Sequence, residues 1–409
     1  MGRISLVIIS NSLQLFLLLS GLFFLLLSFR GFRGLAPAPR ASRLRRFAVL
    51  VPAYNEEGGI ALAVQSIAAM EYPRELFDIY VIADHCTDGT AAAAAAAGAK
   101  VLPYAGQGLK AGKGRALKWA TARLLDPGYD AFCYFDADSL AHPGFLAAMN
   151  DRLDTGEKVV QGRQLPKNTS RLLSRIPASG LIISNRFFQL PKQALGLSAN
   201  LHGKGFCFSA DIAARFQWDE VCLTEDLEMQ MRLIRHGVRI AWEPRAVVYD
   251  EQPETLGQYV CRTMRWARGA LDTALRHLPG LVLRALRGDP RAVEGAVYCS
   301  QAYRFGAALL SGLLLWLTRG SFNVVVWLYA ALPGMRLAMK ALSLVPLLVY
   351  PGAALLLERA DPRLMAAYFL QPLLGALRFP VFIAGLFRGT DFWGRTEHTS
   401  RVAIADLVE

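Results

Sequence analysis

From Ile4 to Ser28 the chain carries no charged residue. At ~1.5 Å per helical residue this stretch is long enough to cross the ~30 Å hydrocarbon layer of a bilayer. It outruns a signal-peptide core, and no small-residue cleavage site comes after it. The adjoining stretch is instead basic, with Arg30, Arg33, Arg40, Arg43, Arg45 and Arg46. The positive-inside bias then puts the N-terminus outside and the next domain in the cytoplasm. Hydrophobicity returns late in the chain, with spans expected near 299–318, 321–337, 341–357 and 364–387; Pro333-Gly334 interrupts the second. With Arg336, Lys340, Arg388 and Arg395 inside, Glu358–Arg363 is expected outside. The parts therefore read as a transmembrane helix over 1–29, a basic linker over 30–46 and a globular domain over 47–254. Amphipathic interface helices come next over 255–297, then about four transmembrane helices over 298–387 and a cytosolic tail over 388–409. The expected location is the inner membrane, multi-pass, with the globular domain cytosolic.

The middle of the chain differs from its ends. Residues 45–290 are an ordinary globular mixture, although the whole chain is 53% hydrophobic. The net charge of +12 is assigned mainly to Lys and Arg facing anionic lipid, with a smaller share for a nucleotide diphosphate. No basic stripe interleaves with exposed aromatics, which argues against nucleic acid as a partner. The six scattered cysteines form no C-x-x-C pair, so neither a zinc site nor a disulfide framework is indicated.

From residue 47 an α/β rhythm sets in. Strands are expected at 47–51, 79–83, 131–135, 159–162, 206–209 and 238–242, with helices between them. Such alternation argues for a mostly parallel sheet covered on both faces, with ligands at the carboxyl ends of the strands. Several candidate groups fall there. Asp136-Ala137-Asp138 comes directly after the apolar run Phe132–Phe135. Two carboxylates at a strand end suit Mg²⁺ or Mn²⁺, which take oxygen ligands and bridge nucleotide phosphates; turn-forming Asp gives the same triplet by chance. Pro52-Ala53-Tyr54-Asn55-Glu56 offers backbone groups, a ring and a carboxylate to a nucleobase and ribose; a helix-capping turn uses the same residues. Asp84, ending the next strand, suits a uracil-like N–H, while Asp88 caps the helix after it. Lys113 reaches a phosphate or base from a small-residue loop that lacks P-loop spacing, or else opens a solvated basic helix.

Asp226, in Thr224-Glu225-Asp226, is either a first-turn carboxylate favoured by the helix dipole or a general base for an attacking hydroxyl. Arg262, Arg265, Trp266 and Gly269 share one helix face. They suit a diphosphate and a sugar ring, or else anchor an interface helix.

In order and content these motifs resemble the family 2 glycosyltransferases, in the membrane-integrated branch of cellulose, chitin and hyaluronan synthases and ceramide glucosyltransferases. The resemblance covers about residues 45–270 by motif and the whole chain by architecture. It implies a GT-A fold (an α/β, Rossmann-like, mostly parallel sheet) beside an α-helical transmembrane region. It also implies a UDP-sugar donor, a divalent metal and inversion at the anomeric carbon. On this resemblance Asp84 matches the uridine-contacting aspartate, Asp136 and Asp138 the metal triplet, Asp226 the base, and Arg265-Trp266 the interface-helix dipeptide. Arg262 stands where processive members usually have Gln. Ala83-Asp84 keeps one carboxylate of the usual acidic pair.

Glu225, His202, Gly203 and Trp393 are expected near the acceptor. Phe392–His398 is similar to gating or priming segments, or else is an interfacial anchor. The expected activity is hexosyl transfer to a growing extracellular or capsular polysaccharide. The runner-up is one transfer to a lipid, and the remote alternative is a non-catalytic transporter or scaffold that senses nucleotide. The expected partners are a UDP-sugar, a carbohydrate or lipid acceptor and membrane lipids.

Overall fold

A computed structural model describes residues 2–106, 111–126, 128–332, 334–345, 349–387 and 400–408. Eight strands form one sheet: β1 (Phe47–Ala53), β2 (Phe77–Asp84), β3 (Lys100–Tyr104), β4 (Ala131–Tyr134), β5 (Leu140–Ala141), β6 (Val159–Pro166), β7 (Phe206–Ser209) and β8 (Ala241–Asp250). Their order is β3-β2-β1-β4-β7-β6-β8-β5. The first four run parallel. β7 is antiparallel to β4 and to β6, β8 is parallel to β6, and β5 is antiparallel to β8. The expected parallel sheet is thus parallel in its first half and mixed in its second. β8 also runs well past the expected stop at Trp242. A register shift, from Gly162 opposite Glu243 to Arg163 opposite Val247, absorbs the irregularity at Pro244.

After the N-terminal helix α1 (Gly2–Phe29), the sheet domain contributes α2 (Ile60–Ala68), α3 (Thr90–Ala96), α4 (Lys113–Leu124), α5 (Phe145–Asp154), α6 (Leu172–Ser184), α7 (Leu190–Ala194), α8 (Ala210–Arg215) and α9 (Glu225–Arg235). The alternating side chains of β1 and β4 feed two cores. Val49, Val51 and Cys133 pack with α2, α3 and α5 on one face. Leu50, Phe132 and Tyr134 pack with α4, α8 and α9 on the other. The remaining helices are α10 (Leu256–Leu286), α11 (Pro290–Cys299), α12 (Gln301–Leu317), α13 (Val324–Ala331), α14 (Met335–Leu344), α15 (Tyr350–Leu357), α16 (Pro362–Tyr368) and α17 (Gln371–Leu386).

α1 is built the opposite way to the sheet domain. It buries Ser10, Gln14, Ser20 and Ser28 while Ile4, Ile8, Leu19 and Leu26 are exposed. α12 repeats the pattern, with Ser311 buried and Leu309, Leu313 and Trp316 exposed. The two helices run antiparallel. The Arg304 guanidinium lies 4.9 Å from the Phe24 ring centre. Toward the other end of α1, Asn11 Oδ1 accepts from Val324 N at 2.6 Å, and Gln14 Oε1 accepts from Asn323 Nδ2 at 2.9 Å. The chain then returns through α13 and α14 to the first end, where Tyr350 stacks on Phe187 and meets Phe29 and Phe32 edge-on.

Among the described residues, one helix, Gly2–Phe32, is long and apolar enough to cross a membrane; α16 and α17, bent by 52°, pass that test as a pair. In the expected span over 321–337, α13 ends at Ala331 and Gly334 has φ +83°; α14 and α15 lie in the described parts of the expected span over 341–357. Glu358, expected on the far side of the membrane, instead pairs with Arg163 at 2.5 Å and Arg186 at 3.1 Å. Those two arginines belong to the sheet domain and hold the end of α15 against it. α16 packs on α6 and α17 on α10. The second contact is close, since a Cβ on Gly385 would stand 2.8 Å from Met264 O.

Candidate active site

The carboxyl ends of β1, β2 and β4 meet above the sheet. Beyond β4, Asp136 lies between two ammonium groups: Lys113 Nζ is 2.6 Å from Oδ1 and Lys204 Nζ is 3.3 Å from Oδ2. Lys113 also reaches Glu225 Oε1 at 3.0 Å and donates to Gly203 O at 2.8 Å. Lys204 pairs with Asp250 at the end of β8 as well. Asp250 accepts in turn from Gln252 Nε2 at 2.8 Å and faces Arg262 at 3.5 Å. The buried Lys167 donates to Asp138 O at 3.1 Å and pairs with Glu251 at 3.4 Å. Carboxylates from three separate stretches of chain are thus interleaved with cations.

Asp226 opens α9 and accepts from Leu227 N at 2.8 Å through Oδ1. A Cβ on Gly203 would stand 3.1 Å from Asp226 Oδ2 and 3.3 Å from Lys113 Nζ, so these groups are near neighbours. Gly203 has φ +75°, a left-handed conformation that suits glycine. Behind Asp226, Gly269 of α10 lets Thr224 come close: a Cβ there would lie 2.4 Å from Thr224 Oγ1.

The two key carboxylates differ in their electrostatics. Burial would raise Asp136, but Lys113 and Lys204 outweigh it and hold the group below its ordinary value. Asp226 is raised to about 6, by burial first and by Glu225 second. Burial pulls Lys113 down, yet Asp136 and Glu225 together hold it well above the usual lysine range.

On the β1–β2 side the loops are laced together. Asp84 Oδ2 accepts from Gly112 N at 2.7 Å, and Oδ1 lies 2.5 Å from His85 Nδ1. The hydrogen bond to Asp84 raises His85, despite the opposing effect of burial. Asn55 Oδ1 accepts from Thr87 N at 2.8 Å, and Glu56 N donates to Thr90 Oγ1 at 2.7 Å. Asp88, expected to cap α3, accepts from Thr90 N at 3.0 Å, while the N-cap position itself is Gly89. The Pro52–Glu56 turn is therefore a clasp on the Asp84 loop, with Tyr54 partly exposed.

The structure brings Asp84, Lys113, Asp136, Asp138, Glu225, Asp226, Gly203 and Arg262 to one end of the sheet. Lys113, expected on the donor, and Glu225, expected near the acceptor, pair with each other. The His202 ring turns to Gln189 Nε2 at 2.7 Å, and burial, then the charge of Lys192, pushes it down to about 4. Arg262 lies over the Trp266 ring at 4.5 Å, with Trp266 41% exposed. Among the described residues Arg265 has no hydrogen-bond or ion-pair partner. Trp393 and Phe392–His398 lie outside the described residues. The tail beyond them reaches the site: Ser400 N donates to Glu251 Oε1 at 3.3 Å, and Arg401 Nη1 to Gly58 O at 3.2 Å.

Lys167, Asp250 and Glu251 were not among the expected site residues. Asp250-Glu251 ends an apolar strand just as Asp136 does, and that signal was present in the sequence. Among the described residues, no three of His, Cys, Asp and Glu gather around a common point for a metal ion. The Asp136–Asp138 pair still suits an open Mg²⁺ or Mn²⁺ site, because these ions use one or two carboxylates and complete their shell with substrate phosphates.

A family model described as "Glycosyltransferase like family 2" matches residues 45–269. The probable glycosyltransferase YdaM of Bacillus subtilis is 26% identical over 244 residues, 58% of this chain and 57% of that protein. A poly-beta-1,6-N-acetyl-D-glucosamine synthase of Staphylococcus aureus is 24% identical over 249 residues, 59% of this chain and 58% of the synthase. The chain thus matches under two thirds of the length of either relative. A mannosyltransferase from Pyrobaculum calidifontis, solved with GDP-Man and Mn²⁺, superposes with a TM-score of 0.57 at 18% identity, covering 89% of this chain and 98% of that one.

Proposed function

The chain belongs to glycosyltransferase family 2, and from that premise we propose that it is an inverting, metal-dependent hexosyltransferase using a UDP-sugar at the inner membrane. One observation carries the reading: Lys113 joins Asp136, held low, to Glu225 and Asp226, the latter raised to about 6. Two neighbouring carboxylates in opposed environments mark a division of labour. Asp226 is ionised at neutral pH yet basic enough to take a proton from an acceptor hydroxyl. The hydroxyl oxygen bonds to the anomeric carbon while the bond to UDP breaks and UDP keeps the electron pair. Asp138 and Asp136 would hold Mg²⁺ or Mn²⁺, whose charge offsets that of the leaving diphosphate.

Arg265 and Arg262 support the same leaving group, and Trp266 orders the acceptor. Asp84, with the Pro52-Ala53-Tyr54 turn and Glu56, holds the nucleoside. Polar-in, apolar-out helices such as α1 and α12 suit a bilayer, where small and polar side chains join helices. On this reading the site lies at the cytosolic headgroups.

Support for a lipid hydroxyl as acceptor comes from the packing of α15 and α16 on α6 and of α17 on α10, while α12, α13, α14 and α7 contact α1. A growing polysaccharide is the second reading, supported by the name of the Staphylococcus relative. The test is UDP release by purified protein from a panel of UDP-sugars, with GDP-Man as control and with Mn²⁺, Mg²⁺ or chelator, then product mass analysis. Metal-dependent release from one UDP-sugar is expected, falling ~10²–10⁴-fold in Asp226→Asn. Equal release by both proteins removes Asp226 from its role.

A further inference from the structure

The turn from Asn200 to Gly205 touches both carboxylate regions of the site. Gly203 lies against Asp226 and its carbonyl accepts from Lys113, while Lys204 reaches Asp136 and Asp250. Gly203 and Gly205 both have left-handed backbones, at φ +75° and +60°. Glycine has the most conformational freedom to lose on folding, so such a turn keeps a fixed shape only if groups outside it hold it. The turn is also largely buried, and buried backbone N–H and C=O groups need partners.

Three fully buried glutamines supply them. Gln161 of β6 accepts from His202 N at 3.0 Å and donates to Lys204 O and Gly205 O at 3.0 and 3.1 Å. Gln189 ends a π-helical turn, Asn185–Gln189, a geometry frequent at functional sites. It accepts from Asn200 N at 2.9 Å and donates to Asn200 O at 3.1 Å. Gln230 comes from α9. Its Oε1 accepts from Leu201 N at 3.0 Å, and its Nε2 donates to Asn200 Oδ1 at 3.2 Å.

Gln230 stands four residues after Asp226, on the same face of α9. The helix that carries the proposed base is therefore tied, one turn later, to the segment that Asp226 faces. Asn200 Oδ1 is shared, since it also accepts from Lys192 Nζ at 2.6 Å. Lys192 pairs at 2.5 Å with Glu294 of α11, both without solvent exposure, and lies 4.8 Å from the Tyr298 ring centre. Apolar residues of the same volume often stabilise as well as a buried ion pair, or better. What this pair adds over two apolar side chains is an ammonium presented to Asn200.

We infer that Gln230 and the Lys192–Glu294 pair are positioning residues for the transfer: through Asn200 and Leu201 they fix the Gly203 turn against Asp226, where the acceptor hydroxyl has to meet the base. The inference rests on the reading of Asp226 as that base. None of the three residues has to touch a substrate.

The test compares full-length, detergent-solubilised wild type with Asp226→Asn, Gln230→Leu and the double variant Lys192→Met/Glu294→Leu. Each is measured for unfolding midpoint, UDP release from the UDP-sugar that wild type turns over, UDP–Mn²⁺ affinity by calorimetry, and hydrogen exchange over residues 199–206. The double variant replaces the ion pair by apolar groups, so its unfolding midpoint should lie at or above that of wild type. Its kcat and that of Gln230→Leu should still fall on the order of 10–10²-fold, with UDP–Mn²⁺ affinity within about threefold of wild type, because a displacement of about 1 Å acts on the reacting groups. Amides of the turn should exchange faster in both. A double variant as stable and as fast as wild type overturns the inference, since the pair is then structural alone. Unchanged exchange over the turn overturns it too, as does full rate in Gln230→Leu while Asp226→Asn is slow; both outcomes leave the base in place. Asp226→Asn as fast as wild type removes the base instead, and the anchoring of the turn then stands or falls on the exchange alone.

Discussion

Asp136 and Asp226 are near neighbours, yet their surroundings push them in opposite directions. Around Asp136, two lysine ammoniums stand against one carboxylate, and the acid is held ionised. Around Asp226, burial and the adjacent Glu225 carboxylate dominate, and the group is raised to about 6. Lys113 belongs to both regions, through Asp136 and Glu225 directly and through its charge on Asp226. What separates a metal-binding acid from a base here is the ratio of cations to carboxylates around each, not the residue type. The comparison can be broken at the shared lysine, at the wall behind Asp226, by pH alone, or at the outer edge of the Asp136 side.

The largest effect is expected at Lys113. Lys113→Met leaves Asp136 and Glu225 without their common cation, and losing one partner of a largely buried pair costs ~3–5 kcal/mol. Thermal or denaturant unfolding of the detergent-solubilised protein measures the loss. The same variant removes a charge that lowers Asp226, so the acid limb of its pH–rate profile should lie above that of wild type. A limb shifted to lower pH means that Lys113 does not act on Asp226.

The next effect is steric. In Gly269→Val the first added carbon already meets Thr224 Oγ1 at 2.4 Å and Cγ2 at 2.5 Å, so α10 and the Thr224–Asp226 turn have to move apart. A shift of about 1 Å in a reacting group costs roughly 10²-fold in kcat, and donor KM should hardly change. Shortening the opposing side chain, as in Gly269→Ala with Thr224→Ala, should restore much of the rate lost in Gly269→Ala alone. Absence of that rescue would mean that Gly269 serves another contact.

The sequence displayed some of this and concealed the rest. Each carboxylate at the end of an apolar run, Asp84 and Asp136, was readable because strand ends are local patterns. Asp226 was readable because a helix start is one too. The pairing of Lys113 with Asp136 and Glu225 was not, since it depends on how α4 and α9 pack on the sheet. His85 at φ +52° was equally hidden; a loop histidine gives no local sign of a left-handed backbone. The helices after residue 298 show the limit most clearly. Apolar composition fits lipid and fits another protein surface equally well. Glu358 is what brings α15 back to the sheet domain, and its partners Arg163 and Arg186 lie 195 and 172 residues earlier in the chain.

By pH alone, the wild-type rate should fall on the acid side with a midpoint near 6, the value to which burial and Glu225 raise Asp226. The base has to be ionised to accept a proton, so kcat is lost as pH drops through that value, approaching tenfold per unit below it. Asp136 is held low and stays ionised across the same range, so donor affinity should be flat where kcat is falling. A parallel fall in donor affinity would show that the two carboxylates titrate as one unit.

The smallest effect is expected at Arg401. Its guanidinium donates to Gly58 O at 3.2 Å in an exposed setting, next to the turn that clasps the Asp84 loop. An exposed contact of this kind changes stability by under ~0.5 kcal/mol, so unfolding of Arg401→Ala should match wild type. The contact joins the tail to the β1 turn, and on present geometry it touches the donor side alone. Donor KM should therefore rise about two- to threefold while the acid limb stays near 6. If the limb moves and KM does not, the tail acts on the Asp226 side through Ser400 and Glu251, and the division between the two regions is less sharp than their charges suggest.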